Sequence, residues 1–279
     1  MAVAPIIIPQ RPGCIAIGLT GEVCKMDESY VVKHPKVIPG ETTYNDLQLE
    51  SMVTERQIYE RLGPHKGILP YYGPWDDSGA IKLAYAKEGD LEAYISAHHM
   101  PPKAVRLAWI KSLLTAFYHI YSKRVLHQDT KLNNILVDDG SLKVADFANG
   151  AIFPPDADME KIYAEDPLSK ADILAIGCII YSIATWTVYN YDFYEENRFP
   201  RPDEVPGTEG LMYREIIDRC WRDGYSSIRP LYEHFQQLER EKPMLEKEYG
   251  KPRVDFMLWF CVVPSLLFIS GHYLCLGLH

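Results

Sequence analysis

Asp129, Asn134 and Asp146 are the residues of this 279-residue chain whose types and spacing speak most directly of chemistry. They stand in the stretch 125–148, separated by the apolar runs Ile135-Leu136-Val137 and Leu142-Lys143-Val144. Those runs predict two short strands joined by a turn at Asp138-Asp139-Gly140. Such a hairpin sets Asn134 just before its first strand and Asp146 just after its second, so an amide and a carboxylate end on the same side of a rigid element. Oxygen donors of this kind suit a hard divalent cation such as Mg²⁺, with the remaining positions left to water and phosphate.

The same stretch resembles the catalytic core of the protein kinase family, which reads His-Arg-Asp, four residues, Asn, and then Asp-Phe-Gly. Here His127-Gln128-Asp129 is followed by Asn134 at the same spacing and then by Asp146-Phe147-Ala148, with Gln128 for Arg and Ala148 for Gly. Lys131, two after Asp129, matches the Ser/Thr branch of that family. The resemblance implies an α+β, bilobal fold, with a small β-rich N-lobe and a larger helical C-lobe, and it implies ATP and Mg²⁺ as the bound groups. It gives Asp129 and Lys131 catalytic roles and makes Asn134 and Asp146 the metal ligands. His127 is expected to be a packed structural residue.

Upstream, Ala16-Ile17-Gly18-Leu19-Thr20-Gly21-Glu22-Val23 fits the family's glycine-rich loop with Ala16 for the first glycine. Gly18 and Gly21 lack the Cβ that would hold a phosphate off the backbone. Tyr30-Val31-Val32-Lys33 is an apolar strand ending in a lysine, and in this context Lys33 is expected to reach the nucleotide phosphates, with Gly18, Gly21 and Val23 beside it. Residues 46–62 are a helix whose apolar side is expected to hold Leu47, Leu49, Met52, Val53, Ile58, Tyr59 and Leu62, closed by Gly63-Pro64. Glu55, rather than Glu50 or Glu60, has the spacing of the glutamate that pairs with the lysine. Residues 68–72 and 80–85 read as strands. Residues 84–90 resemble the hinge between lobes, where backbone groups of Ala84 and Ala86 would meet an adenine edge. Asp90 there either takes the ribose hydroxyls or caps the helix that follows.

In the larger half, residues 102–123 form a strong amphipathic helix, with Val105 among its buried residues. Ala171–Tyr181 resembles the family's central buried helix, and Asp172 at its start is expected either to accept N–H groups of the catalytic loop or to complement the helix dipole. Only 25 residues lie between Asp146 and Asp172, and no Ala-Pro-Glu occurs there. With Gln128 lacking a positive charge, control by loop phosphorylation is not expected. Residues 187–208 show no periodicity, so the family's substrate-binding helix is expected to be reduced or lost. Ile228-Arg229-Pro230 opens a closing helix, with Glu165 as the expected partner of Arg229.

The expected domain is 14–241: an N-lobe at about 14–85, a hinge at about 84–90 and a C-lobe at about 91–241, followed by a linker at 242–255. The net charge of −9 without a basic run argues against a nucleic-acid partner. Six cysteines without Cys-x-x-Cys spacing argue against a zinc site. No basic start or long apolar core marks the N-terminus as a secretory signal, so reduced thiols and a cytoplasmic place are expected. Residues 256–278 contain no Asp, Glu, Lys or Arg, enough for a membrane span, with Lys251 and Arg253 before them. Pro264, Ser265, Ser270, Gly271 and His272 weaken that span, so a C-terminal anchor, a packed tail and a translated non-coding stretch all stand as readings. For function, a Ser/Thr protein kinase stands first. A pseudokinase or nucleotide-binding scaffold is the alternative, motivated by Ala16, Gln128, Ala148 and the reduced segments, and a small-molecule kinase is a third reading. The protein substrate and the oligomeric state are not written in the sequence.

Overall fold

The computed structural model describes residues 11–248. The apolar tail at 256–278 and Cys261 and Cys275 lie outside the described residues. The chain divides after Glu239, and of the second unit the described part is the end of a helix that closes at Glu248.

The small lobe is one antiparallel sheet. Its strands are β1 (Cys14–Ile17), β2 (Gly21–Lys25), β3 (Tyr30–Pro35), β4 (Tyr71–Pro74) and β5 (Ile81–Ala84), in the order β1-β2-β3-β5-β4. The turn between β2 and β3 is closed by Asp27, whose carboxylate accepts from the N–H groups of Ser29 and Tyr30. Helix α1 (Thr42–Leu62) packs against this sheet and ends at Gly63, whose φ of 64° admits the reversal. The buried face of α1 holds Met52, Ile58, Tyr59 and Leu62 as expected, with Val53 half-buried, and departs from the expected one at its N-terminal end. Gln48, Met52, Glu55, Ile58, Tyr59 and Leu62 point inward, while Leu47 and Leu49 are exposed. The inward face therefore includes a glutamate, Glu55, among its apolar residues. The strand expected at 68–72 also starts late, because Ile68 bridges to Val144 and the Leu69 N–H donates to the Val144 carbonyl. Those two residues therefore belong to the contact between lobes, not to the upper sheet.

The large lobe comprises α2 (Leu91–Ala97), α3 (Lys103–Ser122), the pairs β6 (Val125–Leu126) with β9 (Ala151–Ile152) and β7 (Ile135–Asp138) with β8 (Ser141–Val144), then α4 (Met159–Glu165), α5 (Ala171–Thr185), α6 (Phe193–Glu196), α7 (Arg214–Trp221) and α8 (Ile228–Glu248). The β7–β8 hairpin turns on Asp139 and Gly140, both at positive φ (49° and 65°), as a two-residue turn matching strand twist requires. Helix α5 is buried nearly all round. At its Gly177 a Cβ would lie 2.6 Å from the Cys220 Cβ, so only glycine lets α7 approach so closely. An apolar run from Leu168 to Thr185 has the length and composition of a membrane span, but most of it is core here. On α3, Val105 is exposed rather than buried. The substrate-helix region is reduced to the four residues of α6. Helix α8 extends through 242–248, so the linker expected at 242–255 begins as helix.

Candidate active site

Lys33 sits inside the small-lobe sheet, directly across from Val23 and almost fully buried. An ammonium in that position needs anions, and two arrive from opposite sides. Glu55 of α1 lies 2.7 Å from Nζ and Asp146, past the end of β8, lies 2.8 Å from it. Neither Glu50 nor Glu60 reaches this position; Glu60 instead accepts from the Tyr71 hydroxyl. The second oxygen of Glu55 accepts the Phe147 N–H at 3.3 Å. Phe147 in turn stacks edge-on against Tyr59 of α1, with ring centres 5.1 Å apart. The helix, the sheet lysine and the Asp146-Phe147 segment are thus one packed unit.

Two carboxylates share this one ammonium. Burial works against the Lys33 charge, but Glu55 and Asp146 outweigh it and raise its pKa above the usual lysine range. Glu55 is fully buried, and that burial pushes its carboxyl up, with Lys33 pulling the other way. Burial also acts on Asp146, yet its side chain is 41% exposed and Lys33 wins, holding the carboxyl below the usual range. Asp146 is the more open of the pair and has a φ of 62°. Ala148 has no positive φ, so the methyl that replaces the family's glycine sits in an ordinary backbone conformation and the unusual dihedral falls on Asp146.

The loop that carries His127, Gln128 and Thr130 is held from below by Asp172. Its carboxylate accepts the N–H groups of His127 (2.9 Å) and Gln128 (3.0 Å) and the hydroxyl of Thr130 (2.7 Å). Of the two expected readings of Asp172, the loop-holding one describes these contacts. His127 is fully buried and contacts the Ala145 carbonyl at 3.0 Å, as a structural histidine would. Asp129 is reached by Lys131 Nζ at 2.9 Å, and the Asn134 amide donates to the Asp129 carbonyl (2.7 Å) and carboxylate (3.0 Å). The Ala145 N–H donates to the Asn134 carbonyl, which sets Asn134 beside the chain leading into Asp146. The Asn134 NH₂ is spent on Asp129, so its side-chain oxygen is not used in those two bonds; an amide oxygen and the Asp146 carboxylate are both hard donors. Among the described residues no group of three or more His, Cys, Asp and Glu forms an all-protein metal cage. Such a donor pair fits Mg²⁺ bound jointly with phosphates. A cavity of about 140 Å³ opens beside Asp129 and Lys131, with Tyr191, Asp192 and Tyr194 on its far wall.

The remaining expected residues divide. Gly18 closes the β1–β2 turn, its N–H donating to the Gly21 carbonyl at 2.8 Å. Gly21 is needed by its own sheet, since a Cβ there would lie 2.7 Å from the His34 carbonyl oxygen. At the hinge, the Ala84 N–H donates to Pro70 and the Ala86 carbonyl accepts from Gly89. Asp90 caps α2, accepting the Ala93 N–H at 2.9 Å, the second of its two expected readings.

Comparison with known proteins assigns the fold to a family. Residues 15–199 match the family model described as the protein kinase domain. The chain belongs to the protein kinase family. Its relatives include the mitosis inducer protein kinase cdr1 of Schizosaccharomyces pombe, 31% identical over 44% of this chain and 24% of that protein. The serine/threonine-protein kinase Nek8 of Danio rerio is 29% identical over 54% of this chain and 24% of its own length. Fibroblast growth factor receptor 1 of Pleurodeles waltl is 23% identical over 83% and 34%. This kinase-family chain thus spans about a quarter to a third of the length of these relatives.

Two contacts of the kinase fold escaped the sequence. Tyr194 of α6 donates its hydroxyl to the Gln128 carbonyl at 2.6 Å, although its ring is half exposed. Burial, then the charges of Asp172 and Asp129, raise that hydroxyl's pKa and keep its proton in place. Nothing in the aperiodic stretch 187–208 marks Tyr194 out. Arg229 meets Glu160, 3.7 Å away, and not Glu165, which lies near Lys161. Glu160 stands in the first turn of α4 and faces the core, where it also accepts from Tyr121 (2.6 Å) and Ser227 (2.8 Å). Glu165 is at the exposed end of that helix.

Proposed function

We propose that this chain is an ATP-dependent Ser/Thr protein kinase, moving the γ-phosphoryl group of ATP to a protein hydroxyl inside the cell. The observation that carries the reading is Lys33, fixed between Glu55 and Asp146 at 2.7 and 2.8 Å. A buried cation tied to the segment that carries a metal-type carboxylate is the arrangement phosphoryl transfer needs, since that reaction rests on positioning and charge neutralisation. In this reading Lys33, steadied by Glu55, orients the α- and β-phosphates, and Val23 and the Gly18–Gly21 turn cover them. The Ala84 carbonyl and the Ala86 N–H meet the adenine edge. The Asp90 oxygen not used in capping takes a ribose hydroxyl. Asn134 and Asp146 would hold Mg²⁺, which neutralises charge on the phosphate oxygens. Asp129 orients the acceptor hydroxyl and takes its proton as the oxygen bonds to the γ-phosphorus and ADP departs. Lys131 offsets charge on the moving group. The Ser/Thr assignment rests on Lys131 and on relatives named as serine/threonine-protein kinases.

The test is transfer of label from ATP with Mg²⁺ to generic protein acceptors. The expected result is transfer by the wild type and its loss, by at least about a hundredfold, in both Asp129→Asn and Lys33→Met. Thermal stabilisation by Mg·ATP without any transfer would replace this reading with a nucleotide-binding scaffold. Absence of both would leave a scaffold without nucleotide.

A further inference from the structure

Cys14 and Cys24 are free cysteines that stand directly opposite one another on β1 and β2. The Cys14 N–H donates back to Arg11 and the Lys25 N–H donates to the Gly13 carbonyl at 2.8 Å. The Lys25–Gly13 bond lies on one side of the pair and a bulge between Cys14 and Ala16 on the other. Residues paired across antiparallel strands have Cα atoms about 4.5–5.5 Å apart. That separation falls inside the window a disulfide accepts, about 4.4–6.8 Å. Gly13 tightens the foot of the hairpin further: a Cβ there would lie 2.8 Å from the Lys25 carbonyl oxygen. Access differs across the pair, because Cys14 is half-buried and Cys24 is 2% exposed. The thiol of Cys24 is raised by burial and then by the neighbouring Cys14. The other described cysteines, Cys178 and Cys220, are enclosed between α5 and α7.

We propose that Cys14 and Cys24 are a peroxide-sensitive redox site, whose oxidation to a cross-strand disulfide locks the hairpin that carries the Gly18–Gly21 turn. Cys14 reacts first. Its sulfur attacks a peroxide oxygen, the O–O bond breaks, water leaves and Cys14 becomes a sulfenic acid. The sulfur of Cys24 then attacks the Cys14 sulfur, the S–O bond breaks, and the hydroxide leaves as a second water with the Cys24 proton. Two thiols have lost two protons and two electrons, and one peroxide has become two waters. Such disulfides are transient in a reducing compartment, so a thiol reductant returns the pair to its starting state.

The experiment exposes the reduced full chain to graded hydrogen peroxide, alkylates the remaining thiols and maps tryptic peptides without reduction. Arg11 precedes Pro12 and is not cleaved, so both cysteines fall in the single peptide Met1–Lys25. That peptide is expected two hydrogens lighter, with neither cysteine alkylated, and dithiothreitol is expected to reverse both changes. In Cys24→Ser, Cys14 is expected to stop as a sulfenic acid trapped by dimedone. Hydrogen exchange at the amides of 14–25 is expected to slow severalfold on oxidation. Full alkylation of both cysteines at peroxide levels that oxidise other cysteines, or pairing of Cys14 with a cysteine elsewhere, overturns the site. Unchanged exchange in the oxidised protein overturns the lock. No readout uses nucleotide, so the result stands apart from the kinase reading.

Discussion

Two buried charges anchor this molecule, and they are neutralised in opposite ways. Asp172 is met by neutral donors alone: two backbone N–H groups and a hydroxyl, all belonging to the loop it supports. Lys33 is met by ions, and by one more carboxylate than it can balance. The first arrangement is complete and has no need of a further partner. The second keeps a surplus negative charge at its open edge, on Asp146, where an added cation is welcome. The difference separates a lock from a socket. Complete satisfaction suits a part that must stay still, and an unbalanced charge suits a part that must receive something.

The comparison breaks most readily at the lock. Asp172→Ala leaves three donors facing an empty site, and since bonds to a charged acceptor contribute about 1.5–3 kcal/mol each, a loss of about 3 kcal/mol or more is expected. A urea denaturation midpoint measures it. A loss below about 1 kcal/mol would mean that pairing of β6 with β9, not Asp172, holds the loop.

At the socket the expected effect is smaller and depends on pH. Glu55→Gln keeps the shape and removes a charge that burial already disfavours, so at neutral pH stability should change by under about 1 kcal/mol while label transfer falls. The folded pKa of Glu55 lies above its ordinary value of 4.5. The stability linked to its protonation is therefore fully present below about 4.5 and lost as pH rises through the raised value. Asp146 runs the other way: its contribution is present above the ordinary 3.8 and lost as pH falls through the lowered value. Relative to Glu55→Gln, the wild type should gain stability as pH falls toward 4.5. Parallel stability curves for the two proteins would show that Glu55 bears no such strain.

These two clusters were not equally legible in the sequence. The places of Asn134 and Asp146 are legible because they flank a short hairpin, where spacing along the chain translates directly into position. Lys33 and Glu55 were readable only together, since a lysine on a strand or a glutamate on a helix is ordinarily a surface residue. The apolar pattern of α1 is right at Met52, Ile58, Tyr59 and Leu62 but misplaces Leu47 and Leu49, which lie at the exposed first turns, while the buried face takes in Gln48 and Glu55. Spacing favours Glu165 over Glu160, because which end of α4 faces Tyr121 is a tertiary fact. Strand ends near residue 70 were misplaced because Ile68 and Leu69 pair across lobes. No periodicity carries information of that kind.

Tyr194 offers the finest version of the comparison, since it holds the same loop as Asp172 but from the solvent side and without charge. Its hydroxyl meets the carbonyl of Gln128, a residue with a φ of 59° that stands where the family's motif has arginine. Gln128 has no positive charge for a phosphate to pair with, and its carbonyl is held instead by this hydrogen bond from α6. Tyr194→Phe removes one neutral hydrogen bond and leaves the ring, so a stability loss of about 1 kcal/mol is expected. Label transfer should slow severalfold at saturating ATP, with the KM for ATP unchanged, because the loop and not the nucleotide pocket is loosened. A raised KM for ATP with an unchanged maximal rate would place the influence of Tyr194 on the socket instead, and would erase the distinction between the two clusters.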